Sequence, residues 1–172
     1  MKQLKIAFGY KMGTGKDEAC NFLIKKFGGT KISFSSPIYD IQKYAQERSG
    51  FKLEKDRKFL QYIGTEWARI KNPDVWVNLA LNNVKNEGSF FISDLRFPNE
   101  FERLKKDGWF CVKLLRSKRE EGRNGTGSYF HRSESALDNI PEDRWDAIIY
   151  NDNRIKDFYD QIDILVNNIM KK

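Results

Sequence analysis

The residues best suited to chemistry stand near the start of the chain. Gly13-Thr14-Gly15-Lys16-Asp17 lies between an apolar run, Lys5-Ile6-Ala7-Phe8-Gly9, and a segment from Asp17 to Phe27 in which Ala19, Phe22, Leu23 and Phe27 recur at helical spacing. A strand that turns through glycines into a helix brings backbone N–H groups and the positive helix end to one point. Such a point suits the β- and γ-phosphates of a nucleotide, with the lysine ammonium as counter-charge. Lys11, Met12, Gly13, Thr14, Gly15, Lys16, Asp17 and Glu18 are therefore the candidate donor-binding residues, and Lys16 is the candidate catalytic cation. The loop departs twice from the pattern GxxxxGK[ST]. Tyr10 stands where the first glycine belongs, with Gly9 displaced by one, and Asp17 replaces the hydroxyl residue that normally meets Mg²⁺. An aspartate there can hold Mg²⁺ directly or through water, because that ion prefers oxygen ligands and keeps several waters.

A second carboxylate, Asp94, ends the apolar run Ser89 to Asp94, where it can hold Mg²⁺ or orient an acceptor. Arg96, two residues on, carries the planar fork that matches a phosphate. The same two residues could also form a surface pair before Pro98. Gln61, Thr65 and Arg69 share one face of a helix expected from Lys55 to Ile70, a face fit for a monophosphate and a base edge, or simply for water. Trp76, past a break near Asn72-Pro73, is a candidate for stacking near that base. Arg116, Lys118, Arg119, Arg123 and Arg132 bracket a glycine-rich segment without apolar period, read as a lid over 117–132. Phosphoryl transfer needs cations around the moving group and water shut out, so Arg116 and Arg119 join Lys16 as catalytic candidates. His131, the one histidine, and Glu134 are assigned to positioning the substrate or lid.

These groups need a scaffold that gathers them. Strand patterns at 5–9, 31–34, 89–94, 109–115 and 147–150 alternate with helical ones, which predicts an α/β domain with a mostly parallel five-stranded sheet and helices on both faces. Ligands of such sheets sit beyond the carboxyl ends of the strands. With 172 residues, 40% of them hydrophobic, the chain is expected to form one domain over 1–172. Its apolar stretches are far short of the ~20 residues of a membrane helix, and the first residues lack a secretory pattern, so the expected location is cytoplasmic. Cys20 and Cys111 are too few for a disulfide framework and read as core residues. Lys and Arg number 31 against 24 Asp and Glu, a net charge of +7 that suits a polyanion. Bases and acids are interleaved, however, which argues against a nucleic-acid groove.

Five segments, in order, resemble the deoxynucleoside monophosphate kinases of phages and other viruses. Lys11 to Asp17 resembles their Gly-Lys-Asp phosphate loop, and Leu60 to Glu66 with Arg69 and Trp76 is similar to their Leu-Gln-x-x-Gly-Thr-Glu-x-x-Arg helix. Ile92 to Glu100 is similar to Asp-x-Arg-Phe-x-Asn-Glu, and His131 to Asp138 to His-x-Ser-Glu-x-Ala-Leu-Asp. Ile148 to Asn151 matches an Ile-x-Asn close also seen in dephospho-coenzyme A kinases. Tyr10 and Glu18, where the family often has Thr, depart from the pattern.

The resemblance implies a three-layer P-loop NTPase fold and transfer of the γ-phosphate of ATP, with Mg²⁺, to a deoxynucleoside monophosphate. Asp17 and Asp94 would place the metal, while Gln61, Thr65, Arg69, Trp76, Asp94, Arg96, His131 and Glu134 would line the acceptor side. Asn151 would sit by the donor adenine. A kinase for another small phosphorylated acceptor, a nucleotide-dependent DNA-handling module and a domain that only binds nucleotide are the rival readings. A homodimer is left open.

Overall fold

The computed structural model describes residues 3–85, 87–117 and 131–171. Five strands, β1 (Lys5–Gly9), β2 (Thr30–Ile32), β3 (Phe90–Leu95), β4 (Phe110–Leu115) and β5 (Ala147–Tyr150), form one sheet in the order β2-β3-β1-β4-β5. Every pairing is parallel. β1 lies at the centre, and its Ile6, Ala7 and Phe8 are fully buried because helices cover both faces, which is why the strand reads as a continuous apolar run.

On one face α1 (Lys16–Phe27) and α8 (Ile155–Lys171) enclose Phe8, Cys20, Leu23, Phe91, Phe158 and Ile162. On the other, α2 (Ser36–Ser49), α5 (Val75–Leu81) and α6 (Pro98–Lys106) enclose Ile38, Trp76, Val77, Phe101, Leu104, Cys111 and Trp145. Both cysteines are free and buried, and burial pushes each thiol up to about 12. Among the described residues no helix is long and apolar enough to cross a membrane.

Several boundaries differ from the expectation. β2 stops at Ile32 because Ser33, Phe34 and Ser35 turn to donate to Asp94 instead of extending the ladder. The helix expected from Lys55 begins at Arg57, where the Asp56 side chain accepts the Phe59 N–H at 3.0 Å. It runs as α3 (Arg57–Gln61), a wider π turn (Tyr62–Trp67) and α4 (Ala68–Lys71). The Ala68 N–H reaches back to Ile63 O, five residues away, the bonding of a π turn. Gly64 sits inside that turn against α2, where a β-carbon would lie 2.9 Å from Ile38 Cδ1. A short helix, α7 (Arg132–Ser135), follows the expected lid, and Arg119 with nearly all of 117–132 lies outside the described residues.

Candidate active site

Gly9 aligns with Leu95 of β3 and Lys113 of β4, so the Gly-rich loop leaves the sheet level with the carboxyl ends of both neighbours. Gly9 has no room for a side chain, since a β-carbon would lie 2.8 Å from the Trp145 ring. Tyr10 has φ 93°, the left-handed backbone that the consensus glycine adopts freely. For a bulky residue this costs about 1–3 kcal/mol and persists only where the surroundings enforce it. Gly13 and Gly15, at φ 78° and 105°, complete the turn into α1.

Lys16 folds across the loop. Its Nζ donates to Lys11 O at 2.5 Å and lies 3.4 Å from Thr14 Oγ1, and the residue is only 5% exposed. Burial, and then repulsion from Arg96, pull the ammonium down to about 7, against the opposing pull of Glu134, Asp17 and Asp94. An anion entering the loop would restore the charge that burial disfavours.

Asp17, in the first turn of α1, accepts from Lys31 Nζ at 2.5 Å and Ser93 Oγ at 2.7 Å through one oxygen, Oδ1. Burial raises its pKa, but these two donors and the Lys16 charge outweigh that and hold the carboxyl below its ordinary value. Asp94 is the hub of the β2–α2 turn: Oδ1 accepts Phe34 N at 3.1 Å, and Oδ2 accepts Ser33 Oγ, Ser35 N and Ser35 Oγ at 2.7–2.9 Å. The two acids thus stand at the ends of adjacent elements, Asp94 committed to shaping a turn and Asp17 still exposed.

A cavity of about 210 Å³ opens beside the loop, with Met12 in its wall. Gln61, Gly64, Thr65, Arg69, Asp94, Arg96 and Glu134 line it together with Phe34, Ile38, Tyr39, Leu60 and Phe97. Arg69 is held on three sides. Nη1 donates to Gly64 O and Nη2 to Glu100 Oε1, both at 2.5 Å, and the guanidinium lies 4.0 Å over the Phe97 ring. Glu100 is fully buried, and its other oxygen accepts the Arg96 and Phe97 N–H groups at the start of α6. Burial raises the Glu100 pKa against the pull of Arg69. Arg96 Nη1 pairs with Glu134 Oε1 at 2.9 Å, and Glu134 Oε2 accepts the Met12 N–H at 2.8 Å. His131 bridges α7 to the π turn, its Nδ1 against Ser133 and its Nε2 2.8 Å from Glu66 Oε1.

The fold therefore gathers Gln61, Thr65, Arg69, Asp94, Arg96 and Glu134 around one space, which meets the phosphate loop at Met12, while Lys16 is folded into that loop. Four of the expected residues do not line this cavity. Trp76, expected beside a base, is 3% exposed and packs in the core, its Nε1 donating to Gly64 O at 2.9 Å. It shapes the π turn from behind. Asn151, expected at the adenine, is buried with Nδ2 on Thr14 O at 2.9 Å, bracing the phosphate loop. A β-carbon on Gly15 would sit 2.5 Å from that nitrogen, so the asparagine in this place admits only glycine at 15. Glu18 accepts from the Tyr159 hydroxyl of α8, which leaves only its backbone for a phosphate. Arg116 is half-buried at the end of β4 and does not line the cavity.

Residues not assigned from sequence include Glu100, Lys113, Ser33 and Ser35. Glu100 had a signal, its place three residues after Phe97 with Pro98 between, the spacing of a helix-start box. The serines and Lys113 had none, because their contacts are made across 29 to 61 residues.

The uncharacterised ORF77 protein of Ictalurid herpesvirus 1 (strain Auburn) is 34% identical over 172 residues, an alignment covering 94% of this chain and 69% of that protein. A protein of Acanthamoeba polyphaga mimivirus, provisionally described as a deoxynucleotide monophosphate kinase, is 28% identical over 187 residues, covering 91% of this chain and 92% of that one. The chain belongs to the family of the ORF77 protein. No protein-family model matches it. Among solved structures, dephospho-CoA kinase from Campylobacter jejuni superposes with TM-score 0.54 at 17% identity, covering 96% of each chain. A gluconokinase from Sinorhizobium meliloti 1021 gives 0.51 at 13% identity, covering 98% of each. At such identities these two show the fold alone, and it is the three-layer α/β fold of P-loop kinases.

Proposed function

We propose that the protein transfers the γ-phosphate of ATP to a nucleoside monophosphate, foremost a deoxynucleoside monophosphate. The observation that carries this reading is the cavity itself. Two guanidiniums, Arg69 and Arg96, share it with apolar walls from Phe34, Ile38 and Phe97, and it abuts the loop that holds Lys16. A monophosphate with an aromatic base presents the complement, an anion and a flat apolar body. The mimivirus relative's description points the same way.

An oxygen of the acceptor phosphate attacks the γ-phosphorus while the bond to the β–γ bridging oxygen breaks, and ADP leaves with that electron pair. No covalent enzyme intermediate is needed. The protein's part is placement and charge. Lys16 and the loop N–H groups meet the donor phosphates, and Arg69, braced by Glu100 and Gly64 O, orients the acceptor phosphate with Arg96. Asp17 and Ser93, an exposed carboxylate and a neighbouring hydroxyl, would hold Mg²⁺ together with its waters, with Asp94 behind them kept to the β2–α2 turn, and the ion when bound would neutralise charge on the transferring phosphates.

A coupled assay of ADP release against a panel of ribo- and deoxyribonucleoside monophosphates tests the reading. ADP release that depends on one or more monophosphates is expected. Release without any acceptor, or none under any condition, would refute it.

A further inference from the structure

Tyr10 is the one residue other than glycine with a left-handed backbone among the described residues, and it opens the phosphate loop. Its ring has two ammonium groups against it, Lys11 Nζ at 5.1 Å and Lys113 Nζ at 4.8 Å from the centroid. Burial first, and then the nearby Asp138 carboxylate, raise the Tyr10 phenol above its ordinary value. Lys11 is the next residue in the chain and moves with the loop. Lys113 and Asp138 belong to the body of the fold. Lys113 is a β4 residue, 8% exposed, opposite Gly9 in the sheet register, and its Nζ also pairs with Glu142 Oε1 at 3.1 Å.

We propose that Lys113 is a positioning residue for donor binding: with Asp138 it clamps the Tyr10 ring, and through the ring it enforces the left-handed turn that glycine supplies unaided in other phosphate loops. A lysine nearly excluded from solvent inside a sheet is costly unless its charge is used, and a ring face plus one carboxylate use it here. Without the clamp, Tyr10 relaxes toward an ordinary backbone, and the N–H groups after it lose their common direction. The clamp replaces by side-chain contacts what the loop lacks in sequence. It rests on the reading that this loop holds the donor phosphates.

The test is calorimetric binding of a non-hydrolysable ATP analogue with Mg²⁺, which reports on the loop whether or not transfer occurs. Turnover of the unaltered protein with monophosphates tests the kinase reading separately. Lys113→Met is expected to weaken analogue binding about tenfold, the scale of one desolvated cation–ring contact. Adding Tyr10→Gly should return it to within about twofold of the unaltered protein, because glycine takes the turn without strain. Tyr10→Leu keeps the β-carbon and loses the ring, so with Lys113 in place it should weaken binding like Lys113→Met. Lys113→Arg should retain affinity, since a guanidinium also sits over a ring. Lys113→Met that lowers only the melting temperature, a double variant no better than Lys113→Met, or Tyr10→Leu with normal affinity would each overturn the proposal.

Discussion

Arg96 and Glu134 form an ion pair 2.9 Å long in the wall of the cavity, and the same carboxylate accepts the Met12 N–H of the phosphate loop at 2.8 Å. One side chain thus occupies an anion receptor on the acceptor side and a backbone donor on the donor side. A phosphate arriving at Arg96 meets a carboxylate already there.

Glu134→Gln keeps the shape and removes the competing charge. Acceptor affinity is expected to rise about fivefold, near 1 kcal/mol, as for loss of a partly screened pair. Titration of the monophosphate by calorimetry checks it, and weaker binding would mean that Glu134 helps the acceptor rather than competing with it.

Arg69 is oriented by Glu100, so two different substitutions should share one kinetic signature. Arg69→Lys loses the fork, and Glu100→Gln loses the charge that fixes Nη2. Both should raise the KM of the monophosphate at least tenfold while the KM of ATP moves less than about twofold. Glu100→Ala, which leaves a buried guanidinium unpaired, should further destabilise the fold by about 3–5 kcal/mol, read by urea denaturation.

Lys16 gives a pH dependence with a definite sign. Its folded pKa is near 7, well below an unfolded lysine, so the native state binds fewer protons than the unfolded chain above about pH 7. Stability linked to Lys16 therefore rises with pH from about 7 to 10 and is flat below. Lys16→Met should remove that slope and stabilise the protein at pH 7 by a few kcal/mol, at most ~5, while removing turnover. Thermal denaturation across this range checks the first part. In the unaltered protein, affinity for ATP should fall as pH rises through about 7, because the ammonium that meets the phosphates is lost.

Asn151 braces Thr14 O from behind the loop. Asn151→Leu should raise the KM of ATP and that of GTP by the same factor, about tenfold for a buried hydrogen bond and its unpaired carbonyl. A change in the ratio of the two donors would return Asn151 to the base.

Much of this arrangement is legible in the sequence, for local reasons. The β1–turn–α1 unit shows because glycines, a buried strand and an amphipathic helix follow each other within 23 residues, Lys5 to Phe27. Gln61, Thr65 and Arg69 show because a four-residue spacing keeps them on one face even through a π turn. What stays hidden depends on contacts far apart in the chain. Asp94 reads as a free acid until Ser33 and Ser35, about 60 residues earlier, are seen to bind it. Trp76 looks like a ligand group because aromaticity is visible in sequence, and Asn151 because of a family resemblance, whereas the side of a wall on which each stands is not visible. Tyr10 looks like a broken motif, yet its backbone keeps the glycine geometry.

Transfer between two nucleotides is read by following the phosphate itself. The protein is incubated with ATP labelled at the γ-position, Mg²⁺ and each deoxynucleoside monophosphate in turn, and the products are separated by chromatography. Label is expected in a deoxynucleoside diphosphate, with its loss in Lys16→Met and its recovery at high acceptor concentration in Arg69→Lys. Label found only in inorganic phosphate, or equal transfer by the unaltered protein and Lys16→Met, would contradict it.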